Sequence, residues 1–364
     1  MARIVLDARE LRAPGEGQRL RALLHRLPRL APQHVFVALV TPTDEVGFGR
    51  SIAGVEALAI AARPGSLRER IELPLALRRV GADLLHAVPE VACAAGRFAF
   101  VAESGGFDPL NRRRHLRLLR LIIAGHGLLL VGSHALAARL AHELKIPVER
   151  FRVMPPSINL PEIEIGEAAE LAGEAFLRRV GLATPFALAF GEDGRGLDPD
   201  LQVVVAALDP LRELSLAILF RAKPPPVLEA WLETTGAVRQ RVRIIGDVSE
   251  RELAMVVRRA AAVVATRDSS AWPEAVLLGL GSGAAVVAWR VGGLLELVGE
   301  AGVLVPAGEV DPLCSSLYNA GLASGAGERV QLAARARARA EQFSWERGAR
   351  DVLAAYEAML GGKT

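Results

Sequence analysis

RDSSAWPEAVLLGLGSGAAVVAWRVGGLLELVGEAGVLVPAGEVDPL, residues Arg267 to Leu313, decides the fold of this 364-residue chain. It reads as a loop, a short helix from about Pro273, a tight turn over Gly281 to Gly283, a buried strand AAVVAW, and a Gly-Gly turn that opens another helix. Pro273 suits the first helical turn, where its missing N–H costs nothing. A strand, a helix and a further strand in such short compass make a parallel sheet unit. The same pattern extends upstream through FALAF, LAILF, VRIIG and AAVVAT, and downstream to VLVP, each run followed by a helical segment. The first half repeats the pattern with RIVLDA, HVFVALVT, LLHAV, FAFVAE, LLLVG and FRVMP, alternating with helical stretches such as Gln18 to Leu30, Leu110 to Ala124 and His134 to Leu144. Between the two series, residues 158 to 184 change to an acidic connector with one helical segment. The expectation is therefore an α/β chain of two doubly wound, Rossmann-like domains.

Composition agrees with that class. Apolar residues make up 51% of the chain and aromatic residues only 5%, as suits parallel strands buried on both faces. A length of 364 residues fits two domains better than one. The two cysteines, Cys93 and Cys314, have no ligand or redox spacing, which points to a reducing compartment without a disulfide framework. Met1 leads straight into a strand, leaving no room for a signal peptide, and the longest apolar runs are too short or too glycine-broken to span a bilayer. A cytoplasmic location is expected. The net charge of +3 is uneven: the first 180 residues carry 25 Lys and Arg against 19 Asp and Glu. No aromatic interleaving accompanies it, so nucleic-acid binding is not expected.

The order of these segments resembles that of retaining glycosyltransferases of the family 4 type. GAAVVAW at Gly283 to Trp289 and GGLLELVGEAGVLVPAGEVDPL at Gly292 to Leu313 are similar to that family's nucleotide-sugar block without a gap. VRIIGDVSERELAMVVRRAAAVVAT, LLLVGSHALAARLAHELKIPVERFRVMPPSINL and the closing FSWERGARDVLAAYEAML extend the resemblance over about 300 residues. It implies the GT-B architecture: a residue 1–170 acceptor-side domain and a 171–343 nucleotide-sugar-side domain facing a central cleft, with a 344–364 helix crossing back onto the first domain.

The resemblance also implies where a site should lie, and this chain departs from it at telling positions. The family's two glutamates fall on Ser270 and Leu278, with Glu274 one helical turn from either. Its loop lysine after the FALAF strand falls on Leu197, with Arg195 nearby. Asp198 to Asp200 reads as a helix cap ahead of Pro199, with an Asp-x-Asp metal motif as the alternative. Arg221 and Lys223, after LAILF, stand where cations would meet a diphosphate, or form an ordinary exposed turn. Gly15 and Gly17 precede a helix whose amides would suit an anion, or simply make a strand-to-helix turn. Glu103 and Ser104 take the place of the family's His-Asp, and Glu103 would bind a sugar hydroxyl, act as a base, or cap the next turn. The helix after Leu110 carries Arg113, Arg117 and Arg120 in a basic stripe, which is either a solvated face or a surface for acceptor or anionic membrane.

The function implied is transfer of a hexose from a nucleotide-diphosphate sugar to a glycan or lipid-linked acceptor, with no cofactor and no metal. The alternative is a catalytically silent homologue working as a ligand-binding protein or as the partner of an active glycosyltransferase. The location implied is cytoplasmic, with peripheral contact at the inner face of the membrane.

Overall fold

The computed structural model describes residues 1–12, 16–88, 99–104, 112–125, 127–158, 167–191, 197–220, 223–267, 273–323 and 325–361. The chain forms two units: Met1–Pro156 together with Trp345–Thr364, and Ser157–Ser344. The first junction lies ahead of the expected residue 170. Ile158 has already joined the second unit, since it is buried in that unit's core and its N–H donates to the Phe343 carbonyl at 2.7 Å.

Among the described residues the first unit forms seven parallel strands: β1 (Arg3–Asp7), β2 (Val35–Val40), β3 (Val55–Ala59), β4 (Leu84–Ala87), β5 (Ala99–Ser104), β6 (Leu128–Val131) and β7 (Phe151–Val153). Their order is β3-β2-β1-β4-β5-β6-β7. Ile4, Val5 and Leu6 of β1 are all fully buried, because helices cover both faces. One face holds α1 (Glu16–Leu30), α2 (Pro42–Ser51) and the helix Trp345–Gly361, numbered α14 in chain order; Leu23, Leu24, Phe48, Val352 and Tyr356 share its core. The other face holds α3 (Glu69–Arg79), α4 (Arg112–Ala124) and α5 (His134–Leu144), through Leu73, Leu77, Leu119, Ile122 and Leu140. Helix α5 starts on Ser133, whose hydroxyl accepts from the Leu136 N–H at 3.1 Å, satisfying one of the orphan donors of its first turn.

The second unit contains six parallel strands: β8 (Phe186–Phe190), β9 (Ser215–Leu219), β10 (Val242–Ile245), β11 (Ala262–Ala265), β12 (Ala285–Trp289) and β13 (Val303–Val305), in the order β10-β9-β8-β11-β12-β13. Its helices are α6 (Glu167–Val180), α7 (Pro199–Leu208), α8 (Pro226–Leu232), α9 (Glu250–Arg259), α10 (Pro273–Ser282), α11 (Gly292–Val298), α12 (Val310–Tyr318) and α13 (Ala326–Glu341). Helix α10 lies close on the sheet: a methyl at Gly279 would sit 3.1 Å from Val263 and 3.2 Å from Val286. It ends at Gly283, whose φ of 79° is a left-handed conformation that glycine adopts without strain.

In each sheet the strand order reverses once, at β1/β4 and at β8/β11. Crevices at such switch points, outside the carboxyl ends of the strands, are where open parallel sheets take ligands.

Candidate functional site

The first unit has a small, open recess at its switch point, lined by Asp7 from the end of β1, His86 from β4, and Glu10, Arg19, Leu20 and Pro64. Beneath it lies a charge network that is almost dry. Arg9 binds both oxygens of Asp7, through Nε at 2.8 Å and Nη2 at 2.6 Å, and its Nη2 also donates to Glu69 Oε1 at 2.5 Å. Its Nη1 donates to the Ala62 carbonyl at 2.8 Å, and Glu69 Oε2 accepts from the Gly65 N–H at 2.7 Å. The three side chains are only 2%, 6% and 2% exposed for Arg9, Asp7 and Glu69. Burial by itself would lower the Arg9 pKa, but bonding and attraction from Asp7, then Glu69, outweigh it and leave the pKa raised. The guanidinium therefore stays charged, and two carboxylates share it.

His86 is held from a distant part of the sequence. Its Nδ1 lies 2.5 Å from the hydroxyl of Tyr356 on α14, with the two rings edge to face. Both side chains are buried. A hydrogen bond on one ring nitrogen fixes the orientation of the imidazole, and the recess receives a positioned polar group among carboxylates. Such a lining suits hydroxyl groups, which both donate and accept.

At the switch point of the second unit stands another ion cluster. Arg267, two residues beyond β11, donates through Nη2 to Asp198 Oδ1 at 2.5 Å and through Nε to Asp200 Oδ2 at 3.1 Å. Asp198 is the N-cap of α7, and its Oδ1 also accepts from the Asp200 N–H at 2.9 Å. The helix-cap reading of Asp198 thus holds, and an arginine faces both carboxylates of the Asp-x-Asp pair. Leu197 and Leu278 are half-buried and pack against the core.

The expected site residues fall as follows. Gly15, Arg195, Arg221 and Ser270 lie outside the described residues. Gly17 is in the first turn of α1, where a Cβ would come within 2.2 Å of the Leu11 carbonyl oxygen, so the glycine answers a backbone contact. Glu103 is in β5, in register with Leu130 of β6, and Glu274 is the second residue of α10; their side chains lie outside the described part. Lys223 is exposed in the Pro-rich turn before α8. Arg113, Arg117 and Arg120 are exposed on α4, whose Leu119 and Ile122 are core. On the same layer, α3 and the turn before it present a feature that sequence reading passed over. Leu67, Ile71 and Leu75 recur every four residues and are 76%, 70% and 58% exposed, among exposed Arg63, Arg68, Arg70, Arg78 and Arg79.

Arg9, His86 and Arg267 were equally unmarked. The signal available was their position at or just beyond a strand's carboxyl end; their partners were not visible.

Residues 198–320, which include Asp198, Asp200 and Arg267, match the model of the family described as Glycosyl transferases group 1. Over 318 residues the chain is 27% identical to D-inositol 3-phosphate glycosyltransferase of Segniliparus rotundus, covering 78% of this chain and 63% of that protein. The chain thus spans less than two thirds of that relative's length. Among solved structures it is similar to sucrose-phosphate synthase of Thermosynechococcus elongatus, with a TM-score of 0.78 at 17% identity over 100% of both chains. It is also similar to Anabaena HepE in complex with UDP and glucose, with a TM-score of 0.73 at 15% identity over 98% of this chain and 100% of that one. The fold is that of the GT-B glycosyltransferases.

Proposed function

We propose that the protein is a metal-independent glycosyltransferase that moves a hexose from a nucleoside-diphosphate sugar to a hydroxyl of a glycan or lipid-linked acceptor at the cytoplasmic face of an anionic membrane. In the transfer, the bond from the sugar's anomeric carbon to the diphosphate breaks and one to the acceptor oxygen forms. The acceptor loses its proton, and the nucleoside diphosphate departs.

One observation supports this reading: the stretch that matches the group 1 model, residues 198–320, includes both the start of α7 and Arg267, which meet at the second unit's switch point. A guanidinium beside a helix N-terminus matches the needs of a leaving diphosphate. The recess of the first unit, with Asp7, Glu10 and His86, suits an acceptor rich in hydroxyls, in keeping with the inositol phosphate named for the Segniliparus relative.

The donor half is tested by thermal unfolding with uridine, guanosine and adenosine diphosphates and their sugars. A ligand at 100 times its dissociation constant is expected to stabilise the protein by about 2.7 kcal/mol. Silence across the panel rejects the reading, and binding without transfer to any acceptor favours the silent homologue.

The membrane half rests on α3 and α4, each of which exposes apolar and cationic side chains. Vesicles rich in phosphatidylserine are expected to bind the protein at low salt and to release it as salt rises, since exposed charges are screened over about 10 Å at 0.1 M. Reversing Arg70 and Arg117 to Glu should weaken binding tenfold or more, at about 1 kcal/mol for each basic residue removed from the surface. Salt-independent binding, or none, leaves this surface merely solvated.

A further inference from the structure

We infer that Asp198 and Asp200 determine which ligands the second unit's crevice admits, by competing with the ligand's phosphates for Arg267. This rests on the reading of that crevice as the nucleotide-sugar site.

The geometry points there because the three groups already satisfy one another. Arg267 reaches one carboxylate at 2.5 Å and the other at 3.1 Å. A bidentate guanidinium is the usual partner of a phosphate, and here its fork is filled by two side chains of the same chain. The α7 terminus is engaged in the same way. Asp198 Oδ1, at 2.9 Å from the Asp200 N–H, takes up a donor that a phosphate oxygen would otherwise use. Among the described residues the cluster counts two carboxylates against one guanidinium, so an arriving dianion meets net negative charge there and must displace Asp198 from Arg267 and from the Asp200 N–H.

None of the three groups is sealed off. Arg267 is 36% exposed, Asp200 26% and Asp198 13%, so a ligand has access to the cluster without unfolding the core. The pairing joins the loop after β8 to the loop after β11, the two strands that flank the reversal of strand order. Each added negative charge on a ligand should therefore cost affinity in the parent protein. With the carboxylates neutralised, the same charge should favour binding, because Arg267 is then available to phosphate.

The test compares the parent with Asp198→Asn/Asp200→Asn by titration calorimetry, using uridine diphosphate, inorganic pyrophosphate and uncharged uridine as probes. Asparagine caps helices about as well as aspartate, so the variant should fold, and its thermal unfolding is checked first. The expected result is at least tenfold tighter binding of uridine diphosphate and pyrophosphate by the variant, with uridine unchanged. Adding Arg267→Ala should remove the gain.

Equal affinity of parent and variant for uridine diphosphate overturns the inference and leaves the donor site standing. An equal gain for uridine also overturns it, since the effect would then not be one of charge. Absence of binding to both proteins, across all three probes, overturns the inference together with the donor-site reading on which it rests.

Discussion

Replacing Arg9 by methionine is expected to destabilise the protein by about 3–5 kcal/mol, the cost of leaving buried charges without their partner. The effect is large because Arg9 is, among the described residues, the one cation shared by two carboxylates that are 6% and 2% exposed. Asp7 belongs to β1, Ala62 follows β3, and Glu69 begins α3; without the guanidinium, two negative charges confront each other in a space that water hardly reaches. Methionine keeps most of the side-chain volume, so lost packing contributes little. Urea unfolding at neutral pH measures the loss. A change below about 1 kcal/mol would mean that water or a rearranged neighbour replaces the arginine, and that the network is weaker than its geometry implies. The triple change Arg9→Met, Asp7→Asn, Glu69→Gln should recover part of the stability, because the unpaired charge has gone as well.

The second large effect is expected at Gly17. A Cβ there would lie 2.2 Å from the Leu11 carbonyl oxygen and 2.7 Å from its carbon. Both are backbone atoms, so no rotamer change relieves the clash. The same oxygen accepts from Arg21 Nη1 at 2.5 Å, and moving it strains that bond too. Gly17→Ala should therefore cost about 3 kcal/mol, at the upper end of the range for overfilled sites. It should also disturb the recess, since Glu10, Arg19 and Leu20 lie on either side of the contact. The control is Gly327→Ala at the start of α13, where nothing lies within 4 Å of the new methyl and the change should be neutral or slightly stabilising. If the two variants unfold at the same urea concentration, the tight approach of Gly17 to Leu11 is not a feature of the protein in solution.

Much of the fold was legible because parallel strands buried on both faces announce themselves as continuous apolar runs. IVL in β1, LAIL in β9's run LAILF and AVVAW in β12 read as strands directly. The exception is β3, VEALA, where only Val55 is buried; an edge strand carries less apolar pressure and so less signal. The site was less legible, for a physical reason. Arg9 meets a partner 60 residues away, His86 one 270 residues away, and Arg267 ones 69 and 67 residues away. Pairings over such separations depend on topology, which a local pattern of residue types does not encode. Asp198 shows the division clearly: its role as a helix cap followed from the neighbouring proline, whereas its second partner was invisible.

Helix α14 has one more consequence, for the order in which the molecule is made. It contributes Val352, Ala355 and Tyr356 to the core of the first unit, yet it follows the whole of the second in sequence. A ribosome releases residues 157–344 before it releases this helix, so the unit that is contiguous in sequence has all its parts first. The amino-terminal unit must wait with one apolar face only partly covered, by α1 and α2, against the usual tendency of domains to fold in the order of their synthesis. During that interval the part of the face that α14 covers, over β4 and β5, is a natural client for a chaperone, and a nascent chain stalled short of residue 345 would leave it open.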